Sequence, residues 1–142
     1  MATIRPYAEG DYKEVKEILK EAGLFDNSWD SEENILGMIK KDTESVLVAL
    51  EGSTIVGVLY TFLFGAHIAW LFRLAVKKTY RKHGIATLLI KHAELSLKKK
   101  GITEVGMYVN ANEVELHMFY KKKDYRSSTN KSYMYMWKEL TK

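Results

Sequence analysis

The feature that most constrains the fold is the stretch of residues 71–101, LFRLAVKKTYRKHGIATLLIKHAELSLKKKG. Its apolar start predicts a buried strand, and the apolar residues of its second half recur at the spacing of a helix over residues 84–100. Gly101 follows, a residue type that commonly ends helices. With another strand predicted at residues 105–109, a right-handed crossover would place the helix N-terminus at the carboxyl ends of two parallel strands.

The other apolar patterns predict one mixed sheet with helices on its faces, a fold of the α+β class (a mixed α/β sandwich). Strands are predicted at residues 3–7, 45–50, 54–64, 67–76, 105–109 and 132–137, and helices at 11–22, 31–41, 84–100 and 113–123. Asp11 and Ser31 are predicted to cap the first two helices. A length of 142 residues suits a single domain, residues 1–142.

Charge and composition exclude several classes of function. The net charge of +4 invites a nucleic-acid partner, but cations and acids cluster separately along the chain, so none is expected. The absence of cysteine excludes disulfides and a cysteine nucleophile. Residues 55–72 carry no formal charge, yet glycines and polar residues within them favour a hairpin over a membrane span. No histidine spacing indicates a metal site. The N-terminus lacks signal-peptide features, so a cytoplasmic location is expected.

Residues 81–86, RKHGIA, open the long helix and suit an anionic ligand. The free N–H groups and the positive dipole end of a helix N-terminus favour negative charge. Gly84 allows a turn and close approach of a phosphate, while Arg81 and Lys82 add cations. A solvated basic turn with a structural glycine explains the residue pattern at positions 81–86 equally well. The segment alone is therefore a weak signal.

Its context is more specific. R-x-x-G-x-A after a hydrophobic strand resembles the acyl-CoA-binding motif of the GNAT superfamily of N-acetyltransferases. The opening TIRPYAEGD, the hairpin VLVALEGSTIVGV and the late FYKKKDY follow the order of that family, so the resemblance covers nearly the whole chain. It implies the GNAT fold, with a central mixed six- or seven-stranded sheet flanked by about four helices. It also implies acetyl-CoA (coenzyme A) as cofactor, transfer of an acetyl group to a primary amine, and homodimers as a frequent state.

The resemblance assigns roles to particular positions. Val76 would donate its backbone N–H to the oxyanion, Leu74 and Val76 would pair with the pantetheine arm, and Tyr120 would protonate the departing thiolate. The cofactor-binding residues implied are Leu74, Ala75, Val76, Arg81, Lys82, His83, Gly84, Ile85, Ala86, Thr87, Asn112 and Tyr120. The pyrophosphate would be held chiefly by the N–H groups of residues 81–86.

Three positions depart from the family pattern. Asp124 stands where a glycine is common after the tyrosine helix. Asn112 lies one position before the site of the usual asparagine, which here is Glu113. Arg73 lies in the strand where some members carry a glutamate base. Without that carboxylate, a GNAT-like module that binds acyl-CoA without turnover is the alternative.

A water chain is favoured as the base over His67 or His117. The acceptor would be an amine-bearing small molecule or a peptide. The acidic residues Asp26, Asp30, Glu32 and Glu33 are interpreted first as a solvated loop and helix start, and only second as a border of the acceptor site.

Overall fold

The computed structural model describes residues 1–109, 112–127, 136 and 138–140. The chain divides into two compact units, Met1–Tyr108 and Val109–Lys142, and each is described by itself. The single domain expected from the length stays a prediction. The first unit contains β1 (Thr3–Pro6), α1 (Tyr12–Glu21), α2 (Glu32–Lys41), β2 (Val46–Glu51), β3 (Thr54–Phe64), β4 (Ile68–Val76), a 3-10 turn (Lys78–Tyr80), α3 (Ile85–Lys99) and β5 (Glu104–Gly106), and the second contains α4 (Val114–Lys121).

The strands form one sheet in the order β1-β2-β3-β4-β5. The first three pairings are antiparallel and β4 pairs with β5 in parallel, which confirms the predicted mixed sheet and α+β class. The described residues hold five strands, fewer than the six or seven expected, and most of the strand predicted at residues 132–137 lies outside them. β5 also ends at Gly106, whereas the apolar pattern predicted a strand as far as residue 109.

A β-bulge interrupts β4. The β3–β4 register pairs Val58 with Ala75 and then Tyr60 with Phe72, so a single residue of β3 lies opposite two residues of β4. One of the two is Arg73, whose φ of 57° is in the left-handed region that few residues other than glycine adopt. Such a bulge bends a strand and changes the direction in which its side chains point.

The sheet is covered on both faces. The apolar stripes of α1 and α2 contribute Val15, Leu19 and Ile35 to a buried cluster with residues of β2, β3 and β4. On the other face α3 crosses β3 at Gly57, where an added Cβ would lie 3.1 Å from Leu89 Cδ1 and 3.2 Å from Ile85 Cγ2. The missing side chain at position 57 therefore allows α3 to pack closely on the sheet.

The helix termini can be compared with the capping residues that the sequence predicted. The Ser31 hydroxyl accepts a hydrogen bond from Asn34 N–H at 3.1 Å, as predicted for an N-cap. The prediction for Asp11 was wrong, because its carboxylate binds Arg5 and the Ala8 N–H instead of the first turn of α1. Gly101 follows α3 with a φ of 87°, a conformation that suits a glycine C-cap. Among the described residues, no helix has the length and apolarity needed to cross a membrane.

Candidate active site

The N-terminus of α3 presents unsatisfied backbone donors. Gly84 is the N-cap, with a φ of 78° and no side-chain cap. The first intrahelical hydrogen bond runs from Leu88 N–H to the Gly84 carbonyl, so the N–H groups of Ile85, Ala86 and Thr87 come before it. These three groups and the positive end of the helix dipole favour an anion.

The basic residues before α3 are exposed around this helix end. Lys82 adopts a left-handed φ of 66°, and both it and His83 are exposed. Arg81 is exposed as well, and its Nε donates to the Val76 carbonyl oxygen at 2.9 Å. That bond leaves the two terminal Nη atoms of Arg81 without a hydrogen bond to any of the described residues, so they can face a phosphate.

The end of β4 has one free edge in the described part of the chain. Lys77 N–H donates to Val56 O at 2.7 Å, so the preceding register pair, Val76 opposite Gly57, is a pair without mutual hydrogen bonds. The N–H and C=O of Val76 therefore point away from β3. On that side, the pairing of β4 with β5 ends at Trp70 and Gly106. Residues 71–76 thus have no strand partner on this side among the described residues, and the Val76 N–H is open to a ligand there.

The predicted site residues of the first unit are therefore adjacent. The Arg81–Val76 hydrogen bond joins the basic turn to the open edge of β4, which also carries Leu74 and Ala75. The Ala75 side chain is buried in the core, so this residue can offer only its main chain. Asn112 and Tyr120 belong to the second unit.

In the second unit, Tyr120 lies on α4 and is only 8% exposed. Burial raises its pKa to about 12, so the phenol keeps its proton at neutral pH. The rings of Phe119 and Tyr125 approach it edge-on, with centroids 5.2 and 5.7 Å away. Tyr125 is brought back by a turn in which Asp124 adopts a φ of 67°, so this aspartate takes the left-handed conformation expected to suit it less than glycine.

Asp30 was missed as a structural residue. It is fully buried, so the interpretation of a solvated acidic loop is wrong at this position. Its carboxylate accepts from Tyr60 OH at 2.8 Å, from the Asp26 N–H at 2.8 Å and from Arg73 Nε at 3.1 and 3.2 Å. Burial and the neighbouring carboxylate raise the pKa of Tyr60. Asp30, Tyr60 and Arg73, the Asp30 cluster, thus tie the loop before α2 to the bulge of β4.

A signal for this cluster was present in the sequence. Arg73 is the one charged residue of an otherwise apolar strand, and buried charges are normally paired. Aromatic rings lie around it. Trp29 stacks on Phe72 at 5.0 Å and Phe62 meets Phe72 edge-on at 5.8 Å, and we call these three rings the aromatic shelf.

The remaining candidates have simpler surroundings. The imidazole of His67 is exposed, and its carbonyl accepts from Thr103 and Glu104 N–H at the start of β5. Asp26 accepts from the Ser28 and Trp29 N–H groups, which lower the pKa of its carboxyl. No group of three metal-ligating side chains occurs within the ranges that the structure covers.

Comparison with known proteins identifies the fold. The crystal structure of the PaiA N-acetyltransferase of Thermoplasma acidophilum with coenzyme A has a TM-score of 0.81 at 24% identity, over 93% of this chain and 94% of that one. An aminoglycoside acetyltransferase from an uncultured soil metagenomic sample has a TM-score of 0.78 at 20% identity, over 97% of both chains. Ard1 of Thermoplasma volcanium has a TM-score of 0.76 at 22% identity, over 86% and 80%.

No curated protein matches the sequence significantly. The family model of the acetyltransferase (GNAT) domain, in contrast, matches residues 42–127, more than half of the chain. This match confirms the predicted family and, with it, an N-acetyltransferase that uses acetyl-CoA. The chain therefore belongs to the GNAT family of acetyltransferases.

Proposed function

We propose that this enzyme transfers the acetyl group of acetyl-CoA to a primary amine of a small molecule or peptide, with its cofactor site at the end of β4 and the start of α3. The observation that supports it most is the open edge of β4 joined to a basic helix N-terminus by the Arg81–Val76 hydrogen bond. A thioester cofactor with an amide-bearing arm and a pyrophosphate needs an open strand edge and an anion site close to each other.

Each part of that site has its own task. The N–H groups of Ile85, Ala86 and Thr87, with residues 81–84, bind the pyrophosphate. The main chain of residues 74–76 pairs with the pantetheine arm as a strand would. Asn112 is a further cofactor contact, carried over from the family pattern. The fold already holds these N–H donors in place, so they need not rearrange when the negatively charged pyrophosphate binds.

The chemistry follows from the same groups. The amine nitrogen forms a bond to the thioester carbonyl carbon, and negative charge develops on the carbonyl oxygen, where Val76 N–H donates to it. The carbon–sulfur bond then breaks and the thiolate takes the proton of Tyr120. The proton lost by the amine passes to water, in preference to His67 or His117, and water returns a proton to the Tyr120 phenolate. With a pKa of about 12, Tyr120 is protonated at neutral pH and can act as this acid.

The tests separate binding from turnover. Purified protein should melt at a higher temperature in millimolar acetyl-CoA, and the absence of a shift would contradict the cofactor site. Thiol release should appear with amines but not without them. Tyr120→Phe should lower kcat by about 10²-fold or more and change the acetyl-CoA affinity much less, while Tyr108→Phe, at a tyrosine that is 77% exposed, serves as the control. Binding without thiol release for any amine would favour a sensor. Homodimerisation and a cytoplasmic location stay predictions.

A further inference from the structure

The guanidinium of Arg73 is held in one place and only partly used. Its side chain is 14% exposed, and only Nε contacts the Asp30 carboxylate. Its Cζ lies 4.5 Å from the centroid of Phe72 and 6.0 Å from that of Trp29. Within the described ranges neither Nη atom makes a hydrogen bond, so four N–H donors of a fixed, planar cation await acceptors.

Asp30 cannot serve as an anionic subsite for the amine. Both of its oxygens accept hydrogen bonds within the fold, and its charge is balanced by Arg73. One carboxylate oxygen of Asp26 accepts hydrogen bonds from two backbone N–H groups of its own loop. Within the Asp30 cluster, the charged side chain that still has unused hydrogen-bonding capacity is therefore the cation of Arg73, which does not suit an acceptor recognised as an ammonium.

The position of Arg73 in the strand relates it to the reaction. It occupies the bulge of β4, one residue before the segment 74–76 that carries the proposed oxyanion donor Val76. Beside it lies the aromatic shelf, of which Trp29 is 39% exposed. A planar fork of donors next to apolar rings matches a molecule that carries a carboxylate beside an apolar group.

We propose that the acceptor is an apolar α-amino acid, whose carboxylate is bound by the Nη atoms of Arg73 and whose side chain packs on the aromatic shelf. This proposal rests on the acetyltransferase function proposed above. A peptide N-terminus lacks the adjacent carboxylate and would be a poor acceptor.

The test compares matched acceptors under saturating acetyl-CoA. Phenylalanine, leucine and methionine are each assayed beside their amides and their decarboxylated amines, with kcat and KM measured separately. The free amino acids should have kcat/KM at least 10-fold above their amides and amines. Equal or better rates with the amides or amines would overturn the proposal while leaving the acetyltransferase function in place. No thermal shift with acetyl-CoA would instead contradict the function itself.

Variants then assign the preference to Arg73. Because Arg73→Gln alone leaves Asp30 buried and unpaired, it is combined with Asp30→Asn, and folding is checked by circular dichroism. The double variant should bind acetyl-CoA as before. Its kcat/KM values for the amino acid and for the amide should lie within about threefold of each other, because the KM for the amino acid is raised. Arg73→Lys should keep part of the preference. A full preference in the folded double variant would overturn the proposal. Lys98→Gln, at the far end of α3, is the charge-matched control.

Discussion

The Nε of Arg81 donates to the carbonyl oxygen of Val76 at 2.9 Å, so the basic turn before α3 is attached to the last residue of β4. The bond uses the Val76 carbonyl and leaves its N–H on the same side of the strand. It also sets the direction of the guanidinium, whose two Nη atoms are the ones available to a phosphate. One side chain thus links the end of β4 to the basic turn before α3.

Removing this side chain should weaken cofactor binding. Arg81→Ala should raise the Kd for acetyl-CoA about 10- to 100-fold, since a hydrogen bond to a charged group contributes about 1.5–3 kcal/mol. Isothermal titration calorimetry gives the affinity. Lys98→Ala removes the same charge from the last turn of α3, about 20 Å away along a helix with a rise of about 1.5 Å per residue, and should change the Kd little. An equal loss of acetyl-CoA affinity in both variants would mean that Arg81 contributes only to the net charge and makes no specific contact.

Gly84 should be needed for its backbone conformation at the ligand site. Gly84→Ala places a Cβ on a residue with a φ of 78°, which should cost about 1–2 kcal/mol of unfolding free energy. Gly52→Ala is a matched control, because Gly52 lies in the β2–β3 turn with a φ of 61° and no heavy atom near its Cβ position either. Both variants should lose similar stability in urea denaturation, but only Gly84→Ala should lose acetyl-CoA affinity.

Gly57 should be intolerant of any side chain. A Cβ there would lie 3.1 Å from Leu89 and 3.2 Å from Ile85, so Gly57→Ala should destabilise the protein by about 1–3 kcal/mol through overpacking. Gly37→Ala has the opposite expectation. Gly37 lies within α2 with open space at its Cβ position, so Gly37→Ala should raise the unfolding free energy by about 0.5–1 kcal/mol. Unfolding free energies from urea titrations compare the two, and a stabilising Gly57→Ala would contradict the packing of α3.

Buried tyrosines should make the fold sensitive to high pH. Burial raises the pKa values of Tyr7 and Tyr120 to about 12, whereas an unfolded tyrosine titrates near about 10. Between these values the unfolded chain loses protons that the native state keeps, so stability is full below about pH 10 and falls as the pH rises toward 12. The loss should reach up to about 1.4 kcal/mol per pH unit for each residue.

Unfolding free energies measured from pH 8 to 12 check this dependence. Tyr120→Phe should flatten the decline by removing one late-titrating group. Tyr108→Phe removes the hydroxyl of a tyrosine that is 77% exposed and serves as the control variant. An unchanged slope in Tyr120→Phe would mean that the phenol ionises in the native state as readily as in the unfolded one.

The sequence predicted what depends on local patterns. Helix α3 and its ending at Gly101 follow from apolar spacing and a glycine, and the Ser31 cap follows from a hydroxyl at a helix start. The hairpin of β2 and β3 follows from alternating apolar residues around a tight turn. The start of α3 at Gly84 could be predicted for the same reason, since the residues that form it are contiguous.

Features set by register or by distant pairs could not be predicted. The bulge at Arg73 depends on how β3 and β4 align, which no local pattern specifies. Asp30 and Arg73 lie 43 residues apart, and an acidic loop residue looks the same in the sequence whether it is solvated or buried against an arginine. The Asp11 carboxylate accepts a hydrogen bond from Arg5 of β1 and does not cap α1, although its place in the sequence suggests a cap.

The bulge of β4 also affects how readily two copies of the chain can pair through this strand. A strand with an unpaired edge can pair with the same strand of another copy, which is a route to aggregation. Residues 71–76 are such an edge, yet the left-handed Arg73 interrupts the row of amides and Arg81 covers the Val76 carbonyl. Few consecutive groups remain to align with a second copy, so this edge is a poor template for pairing with the same strand of another chain.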